Sequence, residues 1–262
     1  VTIRKSQLGQ YILRSVFSIL MGKETLRFYE NLDWQQQSDR FRETDLLYPS
    51  YYSQPNFHGI EGGYLNYIAP ITYDIVAKYA SPPNEMWIRR QLIRTINSQP
   101  ERILDLGCGT GSATLMLKQA FHQADVIGLD LSPYMLVVAQ KKAQQAGLKI
   151  RWQHGLAEDT GLEGASFDLV TASFLLHETP PQISVLILQE CFRLLKPEGQ
   201  VIILDGNQLR LRHADWLSKI FQEPYSKVYA AGSVDHWLRV AKFKAVTTKY
   251  IGWISQITSG SK

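Results

Sequence analysis

An acid, a glycine bend and a second acid carry the clearest chemical signal in this sequence. Asp105 stands two residues before Gly107-Cys108-Gly109-Thr110-Gly111, and Asp130 lies 23 residues beyond Gly107. Three glycines in five positions let the chain turn sharply and bring its backbone against a ligand with no Cβ in the way. The bend directly follows the apolar run Ile103-Leu104, as does the first strand-to-helix turn of an open α/β sheet, where ligands bind. Asp130 closes the next apolar run and is placed to accept hydrogen bonds from both hydroxyls of a ribose. The competing pattern is the dinucleotide fingerprint Gly-x-Gly-x-x-Gly/Ala, which needs a small residue where Ser112 stands. Asp105 argues the same way, because beside a pyrophosphate it sets like charge against like, whereas beside an ammonium group it is favourable.

The elements that must hold these residues follow from the apolar pattern. From about residue 102 onward, short runs rich in Ile, Val and Leu alternate with helical stretches, the signature of a mostly parallel sheet covered on both faces. Strands are expected over residues 102–106, 125–130, 149–153, 167–173 and 200–205, with a final pair over 244–251 and 253–258 turning about Gly252. Ser132-Pro133 caps and starts one helix. Pro180-Pro181 opens another, which the turn Lys196-Pro197-Glu198-Gly199 ends. Residues 101 to 262 therefore read as an α/β core. Residues 1 to 100 read as a mainly helical cap, with helical patterns over 8–21 and 71–80 and a turn at Ser81-Pro82-Pro83. Between the two helices lies an aromatic stretch holding Tyr48, Tyr51, Tyr52, Phe57, Tyr64 and Tyr67.

Composition narrows the function class. A length of 262 residues with 45% hydrophobic content supports a sizeable core, and a net charge of +4 is too small and scattered for a nucleic-acid footprint. Cys108 and Cys191 are the two cysteines, which form neither a disulfide framework nor a metal spacing and point to a reducing, cytoplasmic setting. No metal is expected. The stretch 8–21 contains Arg14 and falls short of the roughly 20 apolar residues of a spanning helix. It reads as a helix covering the site, with peripheral membrane contact as the second reading.

The glycine bend with its two acids resembles the first two motifs of the class I S-adenosylmethionine-dependent methyltransferases. The similarity continues through Ser166-Phe167-Asp168-Leu169-Val170, Ser173-Phe174-Leu175-Leu176-His177 and Arg193-Leu194-Leu195-Lys196-Pro197-Glu198-Gly199. The wording is nearest to the small-molecule methylases of ubiquinone and menaquinone biosynthesis. The resemblance implies a Rossmann-like doubly wound sheet with an antiparallel C-terminal strand, and S-adenosyl-L-methionine as cofactor. It implies that Gly107 and Gly109 pack against the cofactor, Asp105 helps hold its amino end, Asp130 binds ribose and Leu131 lies against adenine. Cys108, Leu156, Ala157 and Ser173 complete that set. Where such proteins often carry Gly-Asp-Ala after the third strand, this chain has Gly155-Leu156-Ala157, so backbone groups there, or Glu158 or Asp159, must serve instead.

His177 and Glu178 fall where methyl donor and acceptor would meet, and His177 is the first candidate for taking a proton, with Glu178 next. His58, Glu61, Tyr64 and Tyr225 are candidate substrate contacts. The expected acceptor is a small aromatic or lipophilic molecule. A catalytically silent cofactor binder and a nicotinamide-dependent oxidoreductase are the alternatives.

Overall fold

The computed structural model describes residues 29–53, 56–57, 60–80, 84–214 and 223–262. The helical pattern over 8–21, the turn at Ser81-Pro82-Pro83 and His58 lie outside the described residues. A two-residue hairpin comes first, β1 (Asn56–Phe57) with β2 (Ile60–Glu61), and a 3-10 turn follows at Gly63–Leu65. The strands after it are β3 (Arg102–Leu106), β4 (Asp125–Asp130), β5 (Arg151–His154), β6 (Phe167–Ser173), β7 (Leu195–Gly206), β8 (Lys244–Ile251) and β9 (Ser255–Ser261). They form one sheet in the order β5-β4-β3-β6-β7-β9-β8.

The neighbours from β5 across to β7 are parallel, and β9 runs antiparallel to both β7 and β8. This is the doubly wound, mostly parallel sheet with a reversed C-terminal strand that the sequence implied. The order runs outward in opposite directions from β3 and β6, so the switch point and its crevice lie beyond their carboxyl ends.

Alternation along the strands divides the core. Leu104 and Leu106 pack on one face with Ile187, Leu188 and Cys191 of the helix Pro181–Leu194, while Ile103, Val126 and Leu169 pack on the other. That second face is covered by the helix Glu85–Thr95, whose Ile88 and Leu92 are fully buried there. The two side chains contribute roughly 3 to 6 kcal/mol by area burial, so the cover of the sheet reaches back to Glu85, ahead of the boundary read near residue 100. Asn84 starts this helix by accepting the Trp87 amide at 2.8 Å. The helix Ile68–Ala80 begins a turn earlier than its sequence pattern. Ser132 and Pro133 start the helix Pro133–Gln145 as expected, with Ser132 Oγ accepting the Met135 amide at 3.3 Å.

Three strands differ in their limits from the sequence reading, β5 by running Arg151–His154 in place of 149–153. β7 starts at Leu195, straight after its preceding helix, with the Pro-Glu-Gly turn absorbed into the strand. β9 reaches Ser261 because its buried polar residues find partners, including Thr258 with Thr248 and Ser259 with Thr247, both at 3.1 Å.

Residues 43–53 and 60–64 fold over the carboxyl edge and are held by polar contacts. His154 Nδ1 accepts the Glu43 amide at 3.1 Å while Nε2 donates to the Leu131 carbonyl at 3.0 Å. Burial lowers the pKa of His154, in keeping with this neutral form. Ser132 Oγ donates to the Tyr64 carbonyl at 2.6 Å, and the Tyr225 hydroxyl donates to the Tyr51 carbonyl at 3.2 Å.

Candidate active site

A partly open crevice lies beyond the carboxyl ends of β3, β4 and β6. One wall is backbone. Gly107 and Gly109 hold φ of 60° and 53°, in the left-handed region that favours glycine. A Cβ on Gly107 would come within 2.7 Å of Leu175 Cδ1, whereas one on Gly109 would meet nothing within 4 Å and would project into open space. Cys108 between them does not line the cavity. Its sulfur instead packs beside Gly128 of β4, and burial pushes the thiol well above its ordinary pKa.

Asp130 stands at the tip of β4 with its carboxylate in the wall. Oδ2 accepts the Gly109 amide at 2.7 Å and Oδ1 accepts the Ser132 amide at 2.8 Å. Burial pushes its pKa up to about 6 against the pull of those amides. Each oxygen keeps a lone pair for a further donor. Leu131, Ala157 and Ser173 also line the cavity, and Leu156 does not. Of the acids after β5, Glu158 reaches the wall, and the Tyr51 hydroxyl donates to it. The buried Ser173 Oγ has no hydrogen-bond partner in the protein.

Asp105 is placed differently from the sequence expectation. Strand alternation turns it to the face of Ile103, where it is 1% exposed and away from the cavity. The hydroxyls of Thr114 and Thr171 donate to it at 2.6 and 2.7 Å, tying helix Ser112–Ala120 and β6 to β3. Burial raises its pKa in spite of these bonds. Its position is that of a buried brace.

The proton-handling candidates also separate. Glu178 lines the cavity, with Oε1 accepting the Tyr64 hydroxyl at 3.0 Å. His177 sits behind it, off the wall. Its Nδ1 is 2.6 Å from Asp205 Oδ1, and its Nε2 faces Glu178 at 3.4 Å and Glu223 at 3.9 Å. Asp205 is fully buried and also accepts the Leu176 and Gly206 amides at 2.8 and 2.7 Å. Burial opposes charging His177, yet Asp205 and Glu178 outweigh it and hold the ring well above its ordinary pKa. A ring already protonated, with both nitrogens turned to carboxyl groups, is not a proton acceptor.

Tyr64 lines the cavity; Tyr225 does not, and supports Tyr51 of the wall. Glu61 falls in β2. The wall also takes Tyr51, Tyr52, Tyr73, Phe174 and Leu175, none of which was chosen as a site residue from sequence. The signal for the tyrosines was the aromatic stretch itself, which carried no indication of which rings face inward.

A sheet of this order, with a glycine wall and a carboxylate on two backbone amides at its switch point, defines a nucleoside-binding α/β protein. The family described as a methyltransferase domain matches residues 103–199. A demethylmenaquinone methyltransferase of Bacillus cytotoxicus is 30% identical over 178 residues, covering 64% of this chain and 73% of that protein. One from Thermus thermophilus is 34% identical over 139 residues, covering 53% of this chain and 62% of that protein. The chain thus spans less than two thirds of that relative. A SAM-dependent methyltransferase structure from Aquifex aeolicus shares the fold at a TM-score of 0.58 and 20% identity, covering 73% of this chain and 97% of that one. The chain belongs to the class I S-adenosylmethionine-dependent methyltransferases, in the menaquinone-methylase-like group.

The donor set fits that cofactor. Asp130 offers acceptors to a diol, Gly109 leaves space where a side chain would stand, and the unpartnered Ser173 hydroxyl is buried at the cavity wall.

Proposed function

We propose that the chain transfers a methyl group from S-adenosylmethionine to a small, lipophilic acceptor of the demethylmenaquinone kind. The observation that carries this reading is Asp130, gripped by the Gly109 and Ser132 amides beside the side-chain-free wall. In this assignment Asp130 binds ribose, Gly107 and Gly109 meet the nucleoside, Leu131 and Ala157 flank the base, and Ser173 donates or accepts at the edge. Glu158 takes the place of the acid missing after β5.

When bound, the cofactor supplies a methyl group on a cationic sulfur. What the chain itself supplies is a dry, aromatic enclosure and a fixed approach. Positioning of this kind accounts for roughly 7 to 11 kcal/mol of barrier lowering. The Glu178 carboxyl on the wall takes the acceptor's proton, and the Asp205–His177 pair behind it fixes its orientation. Tyr64 contacts the acceptor. Among the described residues no Lys, Arg or His lines the cavity, whereas Asp130, Glu158 and Glu178 do, so a neutral acceptor suits it better than an anionic one. Among the described residues no helix is long and apolar enough to cross a membrane. A lipophilic acceptor would reach the site by peripheral contact, for which residues 8–21 are the candidate segment.

Incubation with methyl-labelled cofactor and a lipid extract containing demethylated quinones tests the activity: label should enter the lipid fraction, and label found only in protein or RNA would overturn it. Two binding results should accompany it. Asp130 accepts ribose hydroxyls best as a carboxylate, and its folded pKa of about 6 lies above the ordinary 3.8. Affinity for S-adenosylhomocysteine should therefore hold near pH 8 and fall as pH drops through 6, by at most about tenfold per pH unit. A flat profile from pH 8 to 5 contradicts the assignment.

Gly109→Ala and Gly147→Ala both force a side chain to positive φ with no atom within 4 Å of the new Cβ. Each should cost about 1 to 2 kcal/mol of stability. Only Gly109→Ala should also weaken S-adenosylhomocysteine, by about tenfold in calorimetry.

A further inference from the structure

An amino-acid-bearing nucleoside brings a carboxylate into a cavity whose wall, among the described residues, holds three carboxyl groups and no cation. Some donor must answer it. Among the described residues, two buried cations stand just behind the wall. His177 turns both ring nitrogens to carboxyl groups. Arg89, on the helix Glu85–Thr95 and 4% exposed, instead meets the wall through neutral rings. Its Nη2 donates to the Tyr73 hydroxyl at 3.3 Å, and its guanidinium lies 5.2 Å from the centre of the Phe174 ring. Tyr73 and Phe174 both line the cavity.

The chemistry of this trio has a direction. Because the Tyr73 oxygen accepts from Arg89, its own hydrogen is left for another acceptor, and burial keeps that phenol neutral and therefore a donor. Phe174 holds φ at 57°, an uncommon value for a bulky residue, and lies over the guanidinium. Glu85, 2.6 Å from Arg89 Nε, balances the charge so that burying it is tolerated.

We propose that Tyr73, backed by Arg89, recognises the α-carboxylate of the bound cofactor: Tyr73 donates to it directly, and Arg89, donating to the Tyr73 oxygen, orients and polarises that hydroxyl. This places the amino-acid end of the ligand against the helix Ile68–Ala80. The proposal rests on the reading of the cavity as an S-adenosylmethionine site.

Calorimetry with two ligands separates the two levels. One is S-adenosylhomocysteine; the other is its decarboxylated analogue, 5′-deoxy-5′-(3-aminopropylthio)adenosine. The wild-type chain should prefer the first by about tenfold or more, as a charge-assisted hydrogen bond warrants. Tyr73→Phe should erase most of that preference while binding the analogue about as well as wild type, and Arg89→Lys, which keeps the charge but loses the guanidinium geometry, should reduce it in part. Equal wild-type affinity for both ligands, or an undiminished preference in Tyr73→Phe, overturns the proposal. Should neither ligand bind the wild-type chain, the cofactor reading itself fails.

Discussion

Asp130→Ala should weaken S-adenosylhomocysteine binding by about 100-fold or more. Hydrogen bonds to a charged group contribute about 1.5 to 3 kcal/mol each, and the ribose diol would make two of them here. The loss should exceed that of any single neighbouring polar group, because the same carboxylate also holds the Gly109 amide and hence the shape of the glycine wall. Circular dichroism and a cooperative melt should remain, since the variant opens space into a solvent-reachable crevice instead of leaving a void in the core. An affinity within threefold of wild type would remove Asp130 from the ribose site.

Glu178→Gln should lower turnover by roughly 10²- to 10⁴-fold, the usual worth of a positioned proton acceptor, with S-adenosylhomocysteine affinity nearly unchanged. The amide keeps the shape of the side chain and a partner for Tyr64, so a large loss in kcat with intact binding isolates the proton-transfer role. His177→Gln offers the contrast. The ring is held charged between Asp205 and Glu178, so its removal should loosen Glu178 and cost less in kcat than Glu178→Gln. If His177→Gln abolished turnover and Glu178→Gln did not, the assignment of the two residues would be reversed.

Much of the core was legible because parallel strands buried on both faces have no choice but to read as apolar runs. β3, β4 and β6 fall at the expected residues for that reason. β9 was read short because its buried Ser and Thr side chains satisfy one another across strands, which no apolar pattern records. The glycine bend was legible as local geometry, since its positive φ values follow from residues adjacent in sequence.

Direction and distance were harder to see. Asp105 was read toward the ligand, yet one step of strand alternation turns it into the core, where Thr114 and Thr171 meet it. His177 reads as a free base until Asp205, 28 residues later, comes beside it. Tyr51 meets Glu158 across 107 residues of chain, and Arg89 reaches the site through Tyr73. Contacts of that separation leave no periodic trace. Only the clustering of aromatics in residues 48–67 hinted that the first hundred residues contribute walls as well as cover.

The central claim is that the crevice at the switch point holds a nucleoside by its ribose at Asp130. A crystal structure of the chain with S-adenosylhomocysteine tests it most directly. The ribose hydroxyls should lie within hydrogen-bond distance of the two Asp130 oxygens, with the sulfur facing the space bounded by Glu178 and Tyr64. A ligand seated elsewhere, or one whose ribose leaves Asp130 untouched, would contradict it.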